Sequence, residues 1–285
     1  MGYFRQMFRK KEKNGRKTNM KLFISADIEG CAGLALTGET HKAEAVYQAF
    51  AKEMTEEVLA ACEAAREAGA DEIVVKDGHG DASNIDPLRM PDYVTLIRGK
   101  SGHPYNMMYG IDETFDGVLY IGYHAPAGDP EFAISHTSTG NSLYIHLNGK
   151  VMSECMLNRY TAASKGVHVL FLSGDEKICR LAKKLVPGIT TVVSKRGEGA
   201  ATRCTSPVKV KEEIRRGVKA AVAGKKEECR LALPEHFTYE VTYKDWKKAY
   251  AMSFYPGMQK VDTFTNKLET DQWLDVVTAH CFVVY

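Results

Sequence analysis

The folded part of the sequence is predicted to begin with a strand followed by a helix. Residues 21–26 (KLFISA) form a short apolar run, and residues 41–68 carry apolar side chains at about every fourth position before Gly69. The first pattern is typical of a buried strand, and the second predicts a helix that ends at the glycine. A strand–helix unit therefore opens the chain from Met20.

The same alternation continues to about residue 197. Strands are predicted at 72–76, 94–97, 117–122, 167–173 and 190–194, a hairpin at 142–152 around Asn148-Gly149, and helices at 153–164 and 175–185. Near-continuous apolar strands suit a parallel sheet that is buried on both faces. The predicted fold class is therefore α/β, with a mostly parallel sheet covered by helices on both faces.

The pattern changes after residue 197 and predicts a smaller α+β C-terminal part. Its elements are a Lys- and Glu-rich helix at 208–223, a strand at 237–243, a helix near 245–252, a strand near 261–265 and a last helix from 271. The predicted division is a basic flexible leader (1–19), an α/β domain (20–196) and a smaller α+β domain (197–285).

Composition and charge exclude several classes of protein. The chain has 285 residues with 44% hydrophobic and 26% charged side chains, as in ordinary globular proteins. Its net charge of +2 does not indicate a nucleic-acid-binding surface over the whole molecule. Residues 1–19 are more basic, with seven Lys and Arg and a single acidic residue, Glu12. That leader lacks the apolar region of a secretory signal, and no run approaches the ~20 apolar residues of a membrane span. We therefore expect neither a nucleic-acid partner nor a membrane partner.

The cysteines favour a reducing compartment. There are seven, an odd number, and they are scattered without any Cys-x-x-Cys pair. This distribution predicts free thiols and a cytoplasmic location. A thiolate zinc site would need ligands at closer spacing, so any metal in this protein must use histidines and carboxylates.

Four such side chains follow predicted strands. Asp27 and Glu29 lie directly after the first strand, His79 follows the strand at 72–76, and His124 follows the strand at 117–122. Open α/β sheets bind ligands at the carboxyl ends of their strands, so these side chains are predicted to meet in one crevice. Each alone is common as a turn, cap or loop residue. Together they indicate a metal site.

Two further residues extend this set. His136 lies in a Ser-His-Thr segment, and Glu154 lies in the first turn of a predicted helix, where the helix dipole alone would explain a carboxylate. Three carboxylates and two imidazoles are enough ligands for two Zn²⁺ ions, with one carboxylate bridging, although Mn²⁺ or Co²⁺ could occupy the same set. The candidate metal ligands are Asp27, Glu29, His79, His124 and Glu154.

Five segments resemble the zinc-dependent D-aminopeptidases that are encoded with dipeptide-transport systems. They are KLFISADIEGCAG (21–33), KDGHG (76–80), IGYHAPA (121–127), ISHTS (134–138) and SECMLN (153–158). The resemblance implies that Asp27 bridges two zinc ions, with Glu29 and His124 completing one site. It implies that His79 and Glu154 complete the other, and that His136 is the catalytic histidine, acting as nucleophile or in proton transfer. It also implies a ring-stacked homodecamer with active sites facing an internal chamber.

The function favoured by this resemblance is that of a dinuclear zinc metallopeptidase. It would remove the N-terminal residue from short peptides, with D-amino-acid peptides such as D-Ala-D-Ala as expected substrates. Histidine is the commonest general acid in enzymes, so His136 could donate a proton to the leaving amine. Two alternatives stay open at this point: a metal-dependent amidase or peptidase of other specificity, and a non-enzymatic peptide-binding protein whose histidines and acids are structural.

Overall fold

The computed structural model describes residues 19–285, so the predicted basic leader lies outside the described residues apart from Asn19. Twelve strands are described in this part of the chain: β1 (Met20–Ala26), β2 (Ala70–Asp77), β3 (Val94–Ile97), β4 (Gly117–Tyr123), β5 (Ser142–Leu147), β6 (Lys150–Val151), β7 (Val169–Asp175), β8 (Thr190–Glu198), β9 (Ala201–Cys204), β10 (Phe237–Tyr243), β11 (Gln259–Lys260) and β12 (Thr265–Thr270). The α-helices are α1 (Tyr47–Glu67), α2 (Glu154–Ser164), α3 (Glu176–Leu185), α4 (Pro207–Ala223), α5 (Trp246–Met252) and α6 (Trp273–Val283). None of the helices among residues 19–285 combines the length and the apolar character that crossing a bilayer requires.

Seven strands form a sheet in the order β3-β2-β1-β4-β7-β8-β9. All neighbours are parallel except β9, which runs antiparallel to β8. Helices α1 and α4 cover one face, where Leu22 and Ile24 of β1 pack with Val58. Phe23 points to the opposite face, which α2 and α3 cover. The predicted α/β class, with a mostly parallel sheet between helical layers, is confirmed.

A second sheet has the order β11-β12-β10-β5-β6 and is antiparallel throughout. Its core combines side chains such as Ile145, Tyr239 and Val276 with one side of α2. The β5–β6 hairpin precedes residue 197 yet belongs to this sheet, whereas α4 follows residue 197 yet packs on α1. Both layers therefore draw on both sides of residue 197, and the division into 20–196 and 197–285 stays a prediction.

Most predicted elements are present with shifted ends, but the prediction of a strand near 261–265 is wrong. Residues 261–264 instead connect β11 to β12. The Asp262 carboxylate accepts the backbone N–H groups of Phe264 and Thr265 at 2.7 and 2.8 Å, which closes a turn. An aspartate side chain that accepts backbone N–H groups two and three residues ahead competes with strand pairing, and here the turn forms in place of the strand. Strand β9 was not predicted, and α1 begins at Tyr47, six residues after the start of the predicted helical stretch.

The loop after β1 packs directly on the end of β4. The Gly30 N–H donates to the Gly122 carbonyl at 2.7 Å, and Asp27 N–H donates to Ile121 O at 2.8 Å. A Cβ atom on Gly30 would lie 2.0 Å from the carbonyl oxygen of Tyr123. Only glycine permits this approach, which brings the loop after β1 and the loop after β4 side by side.

We expect Gly30→Ala to lower the free energy of unfolding by about 1–3 kcal/mol or more, because the new methyl group meets rigid backbone. The measurement is urea unfolding followed by circular dichroism. Gly140→Ala is the matched control, since a Cβ atom there meets nothing within 4 Å. Equal unfolding midpoints for the two variants would contradict the close packing of these loops.

A candidate metal centre at the carboxyl edge of the sheet

The structure brings the loops after β1, β2 and β4 together, because β1 lies between the other two strands. Asp27 and Glu29 are both buried just beyond β1. His79 Nδ1 lies 2.9 Å from Glu29 Oε1 and 3.5 Å from Asp27 Oδ1. Two adjacent carboxylates and an imidazole thus share one end of the sheet, where ligands bind in open α/β folds.

The other three candidates complete the same group. His124 Nε2 lies 3.6 Å from Asp27 Oδ2 and 3.4 Å from Glu154 Oε1. His136 Nε2 lies 3.9 Å from Glu29 Oε1 and 3.8 Å from Glu154 Oε1, and its ring stacks on that of His124 with centroids 4.4 Å apart. All six predicted site residues therefore surround one point.

Glu154 reaches this point from the second layer of the molecule. It is the first residue of α2, which the Ser153 hydroxyl caps by accepting the Met156 N–H at 3.1 Å. Its carboxylate Oε1 accepts the backbone N–H of Ser138 at 2.7 Å, next to the His136 segment. Helix capping accounts for the start of α2, but only tertiary packing directs this carboxylate toward the histidines.

Each of the three histidines donates one ring N–H to a backbone carbonyl. His79 Nε2 donates to Thr40 O at 3.1 Å, His124 Nδ1 to Ala125 O at 2.9 Å, and His136 Nδ1 to Ile134 O at 2.9 Å. A carbonyl oxygen can only accept, so it determines which nitrogen of a neutral ring carries the proton. The remaining nitrogen of each ring then presents a lone pair to the carboxylates. Histidine ligands of metals are commonly oriented in this way.

Lone pairs that face carboxylates require a positive charge between them. Among residues 19–285, the buried atoms His124 Nε2 and Glu29 Oε2 have no hydrogen-bond partner. Ligand atoms of Asp27, Glu29 and His124 lie within 4.8 Å of one another, as do those of His124, His136 and Glu154. Oxygen and imidazole ligands at this spacing suit a divalent cation such as zinc. The residues present therefore fit a metal centre.

The pKa values of these groups follow from burial and mutual attraction. Burial, aided by repulsion from Glu29, holds the pKa of Asp27 well above its usual range. Burial alone would lower the pKa of the His79 and His124 rings. Attraction to Glu29 instead raises the pKa of His79 to about 11, and attraction to Glu154 raises the pKa of His124 to about 10. In turn, the pKa of Glu29 is held well below normal and that of Glu154 falls to about 2, since the neighbouring rings outweigh burial. Protonated rings thus balance the carboxylates when no metal does, and a metal would replace those protons.

The site opens into a cavity of about 140 Å³. Besides five of the six predicted residues, its walls include Lys100, Met107, Ser138 and Tyr285, none of which was predicted as a site residue. Ser138 has φ of +63°, and its hydroxyl bonds to His280 Nε2 at 2.8 Å. The ISHTS segment drew attention to the region of Ser138, but no spacing in the sequence indicates Lys100 or Tyr285. Cavities of about 610 and 400 Å³ lie elsewhere and touch none of the predicted site residues.

Strand β8 holds the loop that carries the two acids. The buried Lys195 ammonium donates to the backbone carbonyls of Glu29 and Leu34 at 2.6 and 2.7 Å. Ser194 Oγ donates to Gly30 O at 2.5 Å. A buried lysine without full charge compensation is costly, and burial lowers its pKa. Because it binds the backbone carbonyl of Glu29, we infer that Lys195 positions the loop that carries the acids of the candidate metal centre.

Comparisons with known proteins find similarity to D-aminopeptidases. The family model of M55 peptidases, described as D-aminopeptidase, matches residues 20–281. A D-aminopeptidase of Bacillus subtilis (strain 168) is 28% identical over 262 residues, which cover 91% of this chain and 95% of that protein. The solved structure of the Zn-dependent D-aminopeptidase DppA from Bacillus subtilis, a self-compartmentalizing protease, matches with a TM-score of 0.87 and 27% identity. That match covers 93% of this chain and 97% of the DppA chain.

We expect Lys195→Met to weaken zinc binding by about tenfold or more, because outer groups that orient metal ligands have effects of this size. Zinc affinity would be measured by competition with a chromogenic chelator. Lys267→Met serves as the control, since that lysine pairs with Glu269 on β12, in the other sheet. Wild-type affinity in a folded Lys195→Met protein would remove Lys195 from the positioning role.

Proposed function

This chain belongs to the D-aminopeptidase family of peptidases, and from that premise we propose that it is a dinuclear zinc aminopeptidase acting on short D-amino-acid peptides such as D-Ala-D-Ala. The family match covers residues 20–281 and confirms the resemblance inferred from the five sequence segments. It also identifies the protein as a hydrolase of peptide bonds. One observation carries the proposal about the metals: three buried carboxylates face three imidazoles whose other nitrogens are already bound to backbone carbonyls.

Asp27 is the proposed bridging ligand of two metal ions. Its two oxygens face different histidines, with Oδ1 toward His79 and Oδ2 toward His124. Glu29 and His124 would complete one site, which the proximity of their ligand atoms supports. His79 and Glu154 would complete the other. Zinc is the proposed metal because the donors suit it and DppA is Zn-dependent, and Mn²⁺ or Co²⁺ could use the same donors.

Two adjacent ions would polarise the scissile carbonyl and supply a hydrolytic nucleophile at neutral pH. The chain's own contribution to catalysis is the proposed proton transfer by His136. Its Nδ1–H is held by Ile134 O, so Nε2 is the atom free to take up a proton and pass it to the leaving amine. The side chain is 23% exposed and lines the cavity, so Nε2 can reach a bound peptide.

We also propose that the protein is a homo-oligomer, with the decamer implied by the family resemblance as the expected form. The relative DppA is a self-compartmentalizing protease. In this chain Trp246, Tyr250 and Phe254 are exposed and spaced four residues apart, along and just beyond α5. An apolar stripe of this kind is typical of a subunit contact. The cytoplasmic location stays a prediction from the cysteine pattern.

We expect Asp27→Ala and His136→Ala to separate metal binding from catalysis. Loss of the bridging carboxylate should empty both metal sites, whereas His136→Ala should keep two zinc ions per chain and lose at least about a hundredfold in kcat. Atomic absorption gives the metal content, and release of D-alanine gives the rate. His168→Ala is the control, because His168 lies away from the site beside Glu227. Full metal content in Asp27→Ala would refute the bridge, and normal turnover in His136→Ala would refute its catalytic role.

The substrate class is tested with matched D-Ala-D-Ala and L-Ala-L-Ala, using protein stripped of metal and then restored with zinc. We expect restored cleavage of the D-peptide only. Cleavage of the L-peptide would keep the metal chemistry and reject the D-preference. Two bound zinc ions without cleavage of either peptide would favour an amidase of other specificity.

A further inference from the structure

Lys100 places an unpaired positive charge on the wall of the catalytic cavity. Its Nζ donates to Asn106 Oδ1 at 3.0 Å and to Gly78 O at 3.4 Å, and both acceptors are neutral. Lys42, by contrast, pairs with the Asp81 carboxylate. Among residues 19–285, no carboxylate comes within ion-pair distance of Lys100. An ammonium group has three protons, so one remains for a ligand.

The backbone that carries Lys100 is tied to the end of β2. The buried Lys76 ammonium donates to Gly99 O at 3.0 Å and to Asp77 O at 2.6 Å. Gly99 N–H donates to Ala82 O at 2.6 Å, and Gly99 adopts φ of +81°, which favours glycine. These bonds hold the loop beside the segment that bears His79. The position of the Lys100 ammonium is therefore built into the fold rather than left to a free surface chain.

Asn106 aligns a second group on the same wall. Its Oδ1 accepts from Lys100, and its Nδ2 donates to the Tyr285 hydroxyl at 2.7 Å. Asn106 has φ of +42°, a left-handed conformation that is uncommon outside glycine. The Tyr285 ring lies 5.8 Å from the Lys100 ammonium and also lines the cavity. The cavity lining therefore combines one oriented cation with carboxylates and histidines of the candidate metal centre.

We propose that Lys100 binds the free C-terminal carboxylate of the peptide substrate. This inference rests on the proposed aminopeptidase function and adds a feature that the substrate must have. The cavity of about 140 Å³ is well below the roughly 300–1,000 Å³ of sites for drug-sized ligands, so a bound substrate is short. A free dipeptide has one negatively charged group, its C-terminal carboxylate. When the scissile bond lies at the metal centre, this carboxylate is the group that the Lys100 ammonium can attract. Attraction to Lys100 selects dipeptides with a free carboxylate over their amides.

Two other roles for Lys100 make different predictions. A merely structural tie to Gly78 and Asn106 would affect every substrate equally. If Lys100 stabilised charge on the scissile carbonyl, replacing it would lower kcat for every substrate, since all of them share that bond. If Lys100 recognises the carboxylate, replacing it instead raises KM for the dipeptide alone. Paired substrates that differ only in this group therefore distinguish the three roles.

The test compares D-Ala-D-Ala with D-alanyl-D-alaninamide in zinc-loaded, full-length protein. Lys100→Met should raise KM for the dipeptide by about tenfold, leave its kcat little changed and leave both constants for the amide little changed. Lys100→Arg should restore most of the dipeptide affinity, because it keeps the charge. Lys219→Met is the control, since Lys219 pairs with Glu67 far along α1. Metal content and thermal unfolding of each variant establish that the fold and the metal site are intact.

Binding is measured separately by calorimetric titration of both compounds into zinc-loaded His136→Ala protein, with and without Lys100→Met. A preference for the dipeptide over the amide that disappears with Lys100→Met supports the proposal, even if the wild type cleaves neither compound and the proposed function fails. Equal affinity of the Lys100-containing protein for acid and amide overturns the proposal. So does a loss of equal size for both compounds, even if wild-type cleavage of D-alanyl peptides upholds the proposed function.

Discussion

Mutual repulsion among three buried carboxylates is the constraint on which the rest of this structure depends. Asp27, Glu29 and Glu154 are each less than 10% exposed, and they converge on one end of the parallel sheet. Removing such charges from water costs several kcal/mol each unless opposite charges lie between them. The imidazoles of His79 and His124 meet this demand when protonated, and metal ions would meet it with the rings neutral. The site is thus an arrangement that requires cations to be stable.

The fold holds this arrangement by backbone contacts more than by flexible side chains. Gly30 packs against the Gly122 and Tyr123 carbonyls, and Lys195 holds the carbonyls of Glu29 and Leu34 from β8. The positions of Asp27 and Glu29, which follow β1, are therefore coupled to β4 and β8 as well. Rigid support of this kind keeps ligand atoms within the narrow distances that metal coordination needs.

The second layer of the molecule contributes the parts of the site that a sheet edge alone could not provide. Helix α2 presents Glu154 at its first turn, with its other side packed in the core of the antiparallel sheet. The Ser138 hydroxyl connects the cavity to His280, which in turn bonds to the Tyr239 hydroxyl at 2.9 Å inside that core. The candidate site therefore lies between two layers that share the chain on both sides of residue 197. Its integrity depends on how those layers pack.

The sequence by itself determined most of the local elements and indicated four of the candidate metal ligands. Apolar runs predicted the parallel strands, and Asp27, Glu29, His79 and His124 could be placed at their carboxyl ends because residues that follow parallel strands share one edge. The prediction of a strand at 261–265 is wrong, because the Asp262 carboxylate binds nearby backbone N–H groups and closes a turn there. Glu154 joined the candidate ligands although helix capping alone explained it, and the family resemblance assigned the catalytic role to His136. Only the tertiary structure decided that α2 aims Glu154 at the histidines, that Lys195 lies beneath Glu29, and that Lys100 faces the cavity. These contacts join residues far apart in the chain, and their geometry depends on packing between layers, which no local spacing records.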